Sequence, residues 1–187
     1  MNDQKPAYEH VVLVDEDDQV LGTAPKAEVH TQNTPLHRAF SVFLFHTETK
    51  KLLLQQRALC KKTWPGIWSN SCCGHPELGE DRKTAARRRL AFELGMRQLD
   101  ELRWVSHYRY CFERDGVVEN EICPVYIALS RDSLQPHPDE VEDTRWITWE
   151  QFIQQAFADE TTFSEWCREE ARLLEKTDFF QELMGGR

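Results

Sequence analysis

Short apolar segments separated by polar turns make up most of this chain. Residues 10–14 (HVVLV) predict a strand, the acidic stretch Asp15-Glu16-Asp17-Asp18 a turn, and residues 20–22 a strand that pairs back as a hairpin. Residues 24–29 predict a single helical turn. The apolar run at 37–45 predicts a long strand, followed by a turn at 47–50 and a returning strand over 51–57. Residues 58–69, with Trp64-Pro65-Gly66 and Trp68, predict a loop. Residues 81–94 predict a helix, with Asp81 near its start and Gly95 just past its end. A second hairpin is predicted from 102–112 and 117–129 around the turn Arg114-Asp115-Gly116. A loop with Pro136 and Pro138 follows, then a short strand at 145–147, a helix from Thr148 to about 157, and one C-terminal helix over 162–183. Strands in hairpins mixed with helices predict an α+β fold, a mixed sheet flanked by helices, in a single domain spanning residues 1–187.

Composition narrows the function classes. The net charge of −9 argues against nucleic acid or an anionic membrane as partner. No run is apolar enough to span a bilayer, and Met1-Asn2-Asp3-Gln4-Lys5 does not begin a signal peptide, so a soluble cytoplasmic protein is expected, with a monomer as the default. The six cysteines form no CxxC pair, which disfavours zinc-finger and thioredoxin readings and predicts reduced thiols. Basic residues cluster locally at Lys61-Lys62 and Arg87-Arg88-Arg89, a pattern that suits a small anion or simply a solvated surface.

Four constellations could carry chemistry. In an extended segment Cys73 and His75 share a face while Cys72 points away, which marks Cys73 as the candidate working thiol, the alternative being a buried structural cysteine. By the same period, Glu119 and Glu121 share one strand face. Two such carboxylates repel unless a cation or proton lies between them or the face is solvated. His30 and His37 flank one loop; with His75, Glu119 and Glu121 they would complete a nitrogen–oxygen ligand set suited to Mn²⁺, Zn²⁺ or Fe²⁺. Arg89 and Glu93 lie one helical turn apart, as a surface ion pair or as part of a site.

From Gly74 the spacing Gly-x5-Glu80-x7-Arg88-Arg89-Leu90-x-Phe92-Glu93-x-Gly95-Met96 resembles the Nudix motif, with Arg89 and Phe92 where two metal-holding glutamates stand. That substitution weakens a hydrolase reading. Further motifs run in order: His30 and Leu36-His37, Arg57 to Trp68, Asn70-Ser71-x-Cys73-Gly74-His75-Pro76, Glu93-Leu94-Gly95, Glu119-Asn120-Glu121-x-Cys123-Pro124, and Trp166. Together they resemble the type 1 isopentenyl-diphosphate isomerases, Nudix-fold enzymes, over about residues 10–166.

The resemblance implies an activity and a set of roles. A five-carbon diphosphate is protonated at C4 and deprotonated at C2 by two opposed groups, Cys73 and Glu121. Tyr110 hydrogen-bonds the catalytic glutamate. The Trp166 face steadies the tertiary cation by cation–π attraction, on the order of 2 kcal/mol when desolvated. His30, His37, His75, Glu119 and Glu121 hold one metal, Mn²⁺ or Zn²⁺. Glu93 ligates Mg²⁺ on the diphosphate, and Lys26, Arg57, Lys61 and Arg89 contact that diphosphate. The rival readings are a Nudix pyrophosphohydrolase and a catalytically silent binding module.

Overall fold

The computed structural model describes residues 9–185; the Met1–Lys5 stretch read above as no signal peptide lies outside them. Twelve strands and five helices follow one another: β1 His10–Val14, β2 Val20–Pro25, α1 Lys26–Val29, β3 His37–Arg38, β4 Phe40–His46, β5 Leu52–Arg57, β6 Trp68–Ser69, β7 Cys72–Gly74, α2 Arg82–Leu94, β8 Glu101–Ser106, β9 Arg109–Arg114, β10 Val117–Ile122, β11 Val125–Ser130, β12 Val141–Ile147, α3 Trp149–Ala158, α4 Glu165–Leu174 and α5 Asp178–Leu183. The strands form two mixed sheets, ordered β2-β1-β3-β10-β9 and β12-β5-β4-β11-β8, with β6 added on β5 and β7 on β4.

Three segments expected to be continuous strands are each divided between the sheets. Residues 37–45 break at Ala39, 102–112 at His107-Tyr108, and 117–129 at Cys123-Pro124. Pro124 has no N–H to carry the ladder onward. The bend recovers its bonds locally, with Ala39 N donating to Ile122 O, Ser41 N to Pro124 O and Cys123 N to Tyr108 O. These crossings set the two sheets side by side and leave a cavity at the junction.

The second sheet is apolar on both faces, which explains the unbroken apolar run of β4. Phe40, Val42 and Leu44 pack with Leu90 and Leu94 of α2. Phe43 and Phe45 face the opposite way, toward Trp149 and Phe152 of α3 and Phe180 of α5. Each such buried side chain contributes roughly 1.5–3 kcal/mol of transfer free energy. α2 has the termini expected of it: Asp81 accepts from Lys83 N and Thr84 N at 3.0 Å, and Gly95 at φ 72° closes the helix onto Leu90 O. Thr148 and Gln151 form a capping box on α3.

Several boundaries differ from expectation. The helical turn begins at Lys26, since β2 continues to Pro25; β12 starts at Val141; and the loop at 58–69 ends in β6. The single C-terminal helix is two. Thr177 bonds back to Leu174 O through both its N–H and its hydroxyl, diverting that carbonyl from the helical ladder, and the turn drives Phe180 against Phe45 and Trp149.

Candidate active site

A cavity of about 660 Å³ opens at the junction of the sheets. Cross-strand register determines what faces it. Glu121 on β10 lies opposite His37 on the parallel strand β3 and opposite Tyr110 on the antiparallel strand β9. Glu119 is two residues away on the same face, and Asn120 turns outward to donate to Thr34 O. The short β7 presents Cys73 to the cavity, where it is partly buried, whereas Cys72 is sealed against α2. Parity therefore separates the two thiols as expected. Gly74 between Cys73 and His75 has no room for a side chain: a Cβ would lie 2.9 Å from Phe40 Cζ and 3.0 Å from Arg89 Cγ.

The three histidines converge, with ring centroids 5.1–5.8 Å apart. Potential ligand atoms of His30, His37, His75 and Glu121 all lie within 4.8 Å of one another. Glu119 stands beside them, its Oε2 at 3.0 Å from His30 Nε2. Backbone carbonyls set the tautomers. His30 Nδ1 faces Lys26 O at 3.3 Å and His37 Nδ1 faces Pro35 O at 2.9 Å, so each Nδ1–H donates outward and each Nε2 turns a lone pair inward. Those Nε2 atoms and Glu119 Oε2 are buried without a well-directed hydrogen bond among the described residues.

Lone pairs facing carboxylate oxygens repel unless positive charge sits between them, so this donor set fits a divalent cation. In its absence a proton meets the same demand. Burial lowers the His37 pKa, but the Glu121 carboxylate reverses this and the net shift is upward. Burial also opposes ionisation of Glu121, yet His37 and His75 hold its pKa well below the usual carboxylate range. His75, at 3.0 Å from Glu121 Oε1, is pushed down to about 4, chiefly by burial, and is neutral at pH 7.

Tyr110 donates to Glu121 Oε2 at 2.5 Å and stacks on Trp166, with centroids 5.7 Å apart and planes 18° from parallel. Trp166 is 2% exposed, packs edge-on against Trp64 and donates to Ser69 Oγ at 3.1 Å. Burial first, then the nearby Glu170, raises the Cys73 thiol to about 12, against the lowering effect of its polar contacts with Ser41 and Asn70.

Lys26, Arg57, Lys61 and Arg89 line the cavity. Arg57 is steadied by Thr63, whose carbonyl and hydroxyl oxygens accept from it at 2.8–3.1 Å. Carboxylates that sequence reasoning did not single out face the other cations: Glu9 accepts from Lys26 at 2.6 Å and from Arg89 at 3.1 Å, and Glu140 pairs with Lys61 and, at 3.3 Å, with Arg89. Glu93 stands apart from the rest of the set. It does not line the cavity but lies behind Arg89, which donates to its Oε1 at 2.5 and 2.9 Å. That pair is buried, not on the surface. Ser41, Asn70 and Glu170 were also given no role. Ser41 is the one hydroxyl in the run 40–45, and Glu170 follows Trp166 by one helical turn, which are the signals available for them.

Fold and site define a Nudix-type domain in which a histidine–carboxylate centre and a thiol share one cavity. The NUDIX domain profile matches residues 35–167. Among solved structures, DR0079 from Deinococcus radiodurans superposes with a TM-score of 0.70 at 21% identity, covering 88% of this chain and 98% of that one. A MutT protein from Methanosarcina mazei does so at 0.59 and 17%, covering 81% and 94%. At such identities the likeness is one of fold. Curated relatives are nearer in sequence. The isopentenyl-diphosphate Delta-isomerase of Saccharopolyspora erythraea is 44% identical over 169 residues, 89% of this chain and 87% of the relative. Its Salmonella typhi counterpart is 45% identical over 159 residues, 84% and 87%, and that of Frankia alni 45%, covering 84% and 81%. The chain belongs to the isopentenyl-diphosphate Delta-isomerase family within the Nudix superfamily.

Proposed function

We propose that this chain interconverts isopentenyl diphosphate and dimethylallyl diphosphate by adding a proton at C4 and removing one at C2, with Cys73 and Glu121 as the two proton-transferring groups. The observation that carries the reading is their placement. The thiol comes from β7 of one sheet and the carboxylate from β10 of the other, and both line one cavity beside the Trp166 indole. An allylic shift through a tertiary cation needs a donor and an acceptor at different carbons. A thiol held protonated and a carboxylate held ionised supply unequal proton affinities for that exchange. The aromatic wall formed by Tyr110 and Trp166 excludes water, which would otherwise trap the cation as an alcohol, and offers it a π face.

Lys26, Arg57, Lys61 and Arg89 bind and orient the diphosphate, whose oxygens displace the carboxylates now paired with three of them. His30, His37, His75, Glu119 and Glu121 would hold Mn²⁺ or Zn²⁺, which supplies the positive charge that keeps the two carboxylates together. Glu93 would meet a Mg²⁺ carried on the diphosphate only if Arg89 turned away from it, so no step is assigned there. The enzyme acts as a cytoplasmic, single-domain monomer in this reading. Among the described residues no helix is long and apolar enough to cross a membrane.

The test is incubation of metal-loaded protein with isopentenyl diphosphate in D₂O, followed by NMR. Double-bond migration with deuterium incorporation is expected. Phosphate release without migration would instead indicate a hydrolase. Cys73→Ala should abolish turnover while leaving diphosphate binding intact, and near wild-type activity in that variant would remove the thiol from the chemistry.

A further inference from the structure

The proposed mechanism draws on α4 only for Trp166. One turn further along α4 is Glu170, which has no exposed surface. Its Oε2 accepts the Ser41 hydroxyl at 2.6 Å, and its Oε1 is buried with no partner among the described residues. Burial pushes its pKa well above the ordinary carboxyl range; the Ser41 bond opposes this only in part, and the Glu121 and Glu169 carboxylates add to it. Oε2 is thus the acceptor that takes the Ser41 proton, a role the amide oxygen of a glutamine could also fill.

Ser41 has one hydroxyl hydrogen. Once that is donated to Glu170, its oxygen can only accept, and it does so from Asn70 Nδ2 at 2.8 Å. The same Ser41 lies opposite Cys73 in the β4–β7 register, with Oγ at 3.6 Å from Sγ. Asn70 contacts the same sulfur, with both Nδ2 and Oδ1 at 3.3 Å. Asn70 is oriented by the Val42 and Cys72 carbonyls, which accept from its Nδ2, and by the Ser69 hydroxyl, which donates to its Oδ1, so the variable contact at the sulfur is the one with Ser41, set by which way the Ser41 proton points. Without an acceptor at position 170, the Ser41 hydroxyl is free to rotate and donate to the sulfur, and a second arrangement of the thiol becomes available.

We propose that Glu170 is a positioning residue for Cys73: by holding the only hydroxyl proton of Ser41, it keeps that hydroxyl from donating to the sulfur and so fixes one placement of the reacting thiol. The inference rests on the assignment of Cys73 to proton transfer. Misplacing a reacting group by about an ångström costs up to roughly 100-fold in rate, so the effect belongs in kcat and not in substrate binding.

The experiment compares steady-state kcat and KM of metal-loaded wild type, Glu170→Leu, Glu170→Gln, Ser41→Ala and the Ser41→Ala/Glu170→Leu double variant, with near-UV circular dichroism to verify folding. Glu170→Leu and Ser41→Ala should each lower kcat roughly 10- to 100-fold with KM little changed. The double variant should be no worse than either single one, and Glu170→Gln should retain most of the activity. Unchanged kcat in folded Glu170→Leu overturns the proposal, as does a Glu170→Gln as impaired as Glu170→Leu, or additive losses in the double variant. Should Glu170→Leu fail to fold, the Ser41→Ala and Glu170→Gln results decide the matter by the same criteria. Cys73→Ala, run alongside, separates the two readings. If it stays active, the thiol assignment itself fails. If it is inactive while Glu170→Leu is unaffected, only the positioning role does.

Discussion

Replacing Tyr110 with phenylalanine removes one atom and tests how Glu121 is held. The ring would keep its stacking on Trp166 at 5.7 Å and on Phe112 at 5.3 Å, so packing changes little. What is lost is a 2.5 Å hydrogen bond to a buried, ionised carboxylate. Bonds to charged groups contribute about 1.5–3 kcal/mol. For a domain of this size that corresponds to a melting temperature lower by roughly 3–12 °C. If the same bond also orients Glu121 for proton transfer, kcat falls by as much as about 10- to 150-fold. The pH dependence follows from the sign of the Glu121 shift. Its folded pKa is depressed, so its stabilising contribution is complete above the unfolded value of about 4.3 and is lost as pH falls through the folded one. Because the Tyr110 hydroxyl bonds most strongly to the ionised form, the stability gap between variant and wild type should be largest at neutral pH and narrow in acid. The assay is thermal unfolding of metal-free protein across that range, with steady-state kinetics on the loaded enzyme. A variant as stable and as active as wild type at neutral pH would refute this account of the bond.

Gly74→Ala places a Cβ 2.9 Å from Phe40 and 3.0 Å from Arg89, and should destabilise by roughly 1–3 kcal/mol in urea unfolding. Arg89→Leu strands the buried Glu93 and removes one cation from Glu140, so a loss of about 3–5 kcal/mol is expected in the same measurement, together with weaker diphosphate binding by calorimetry. Chelation should lower the melting temperature, and Mn²⁺ or Zn²⁺ at a hundredfold excess over Kd should restore about 2.7 kcal/mol in wild type but not in His37→Ala. Because Glu121 raises the His37 pKa, protons compete for the centre, and metal affinity followed by titration calorimetry should fall as pH is lowered.

How far the chain could be read in advance depends on the range of each interaction. α2 was legible because its signals are local: Asp81 bonds two amides within three residues, and Gly95 supplies the positive φ at its end. The turn at Asp115-Gly116 was legible for the same reason, with both residues at positive φ. Side-chain parity survived as well, since alternation along a strand is a property of the backbone. It correctly separated Cys73 from Cys72 and put Glu119 on the face of Glu121. The Nudix-like spacing pointed to the superfamily because it lies within one stretch of chain, and the ordered motifs from His30 to Trp166 together pointed to the isomerase family.

What residues 37–45, 102–112 and 117–129 do at their midpoints was not legible. Pairing with distant strands sets the breaks at Ala39 and His107-Tyr108, and at Cys123-Pro124 the local signal, a proline without an N–H, does not say which sheet each half joins. The partners of the cavity cations belong to the same class. Nothing near Lys61 announces Glu140, and nothing near Ser41 announces Glu170, 129 positions away. Local sequence therefore determined the capped helix, the hairpin turns, the parity of the thiol and carboxylates, and the motifs that mark the family. Tertiary structure alone decided which sheet each strand half joins, how three histidines meet two carboxylates, and which buried acid stands behind the thiol. Backbone geometry and capping act over a few residues, whereas burial and charge pairing depend on groups that only folding brings within a few ångströms of one another.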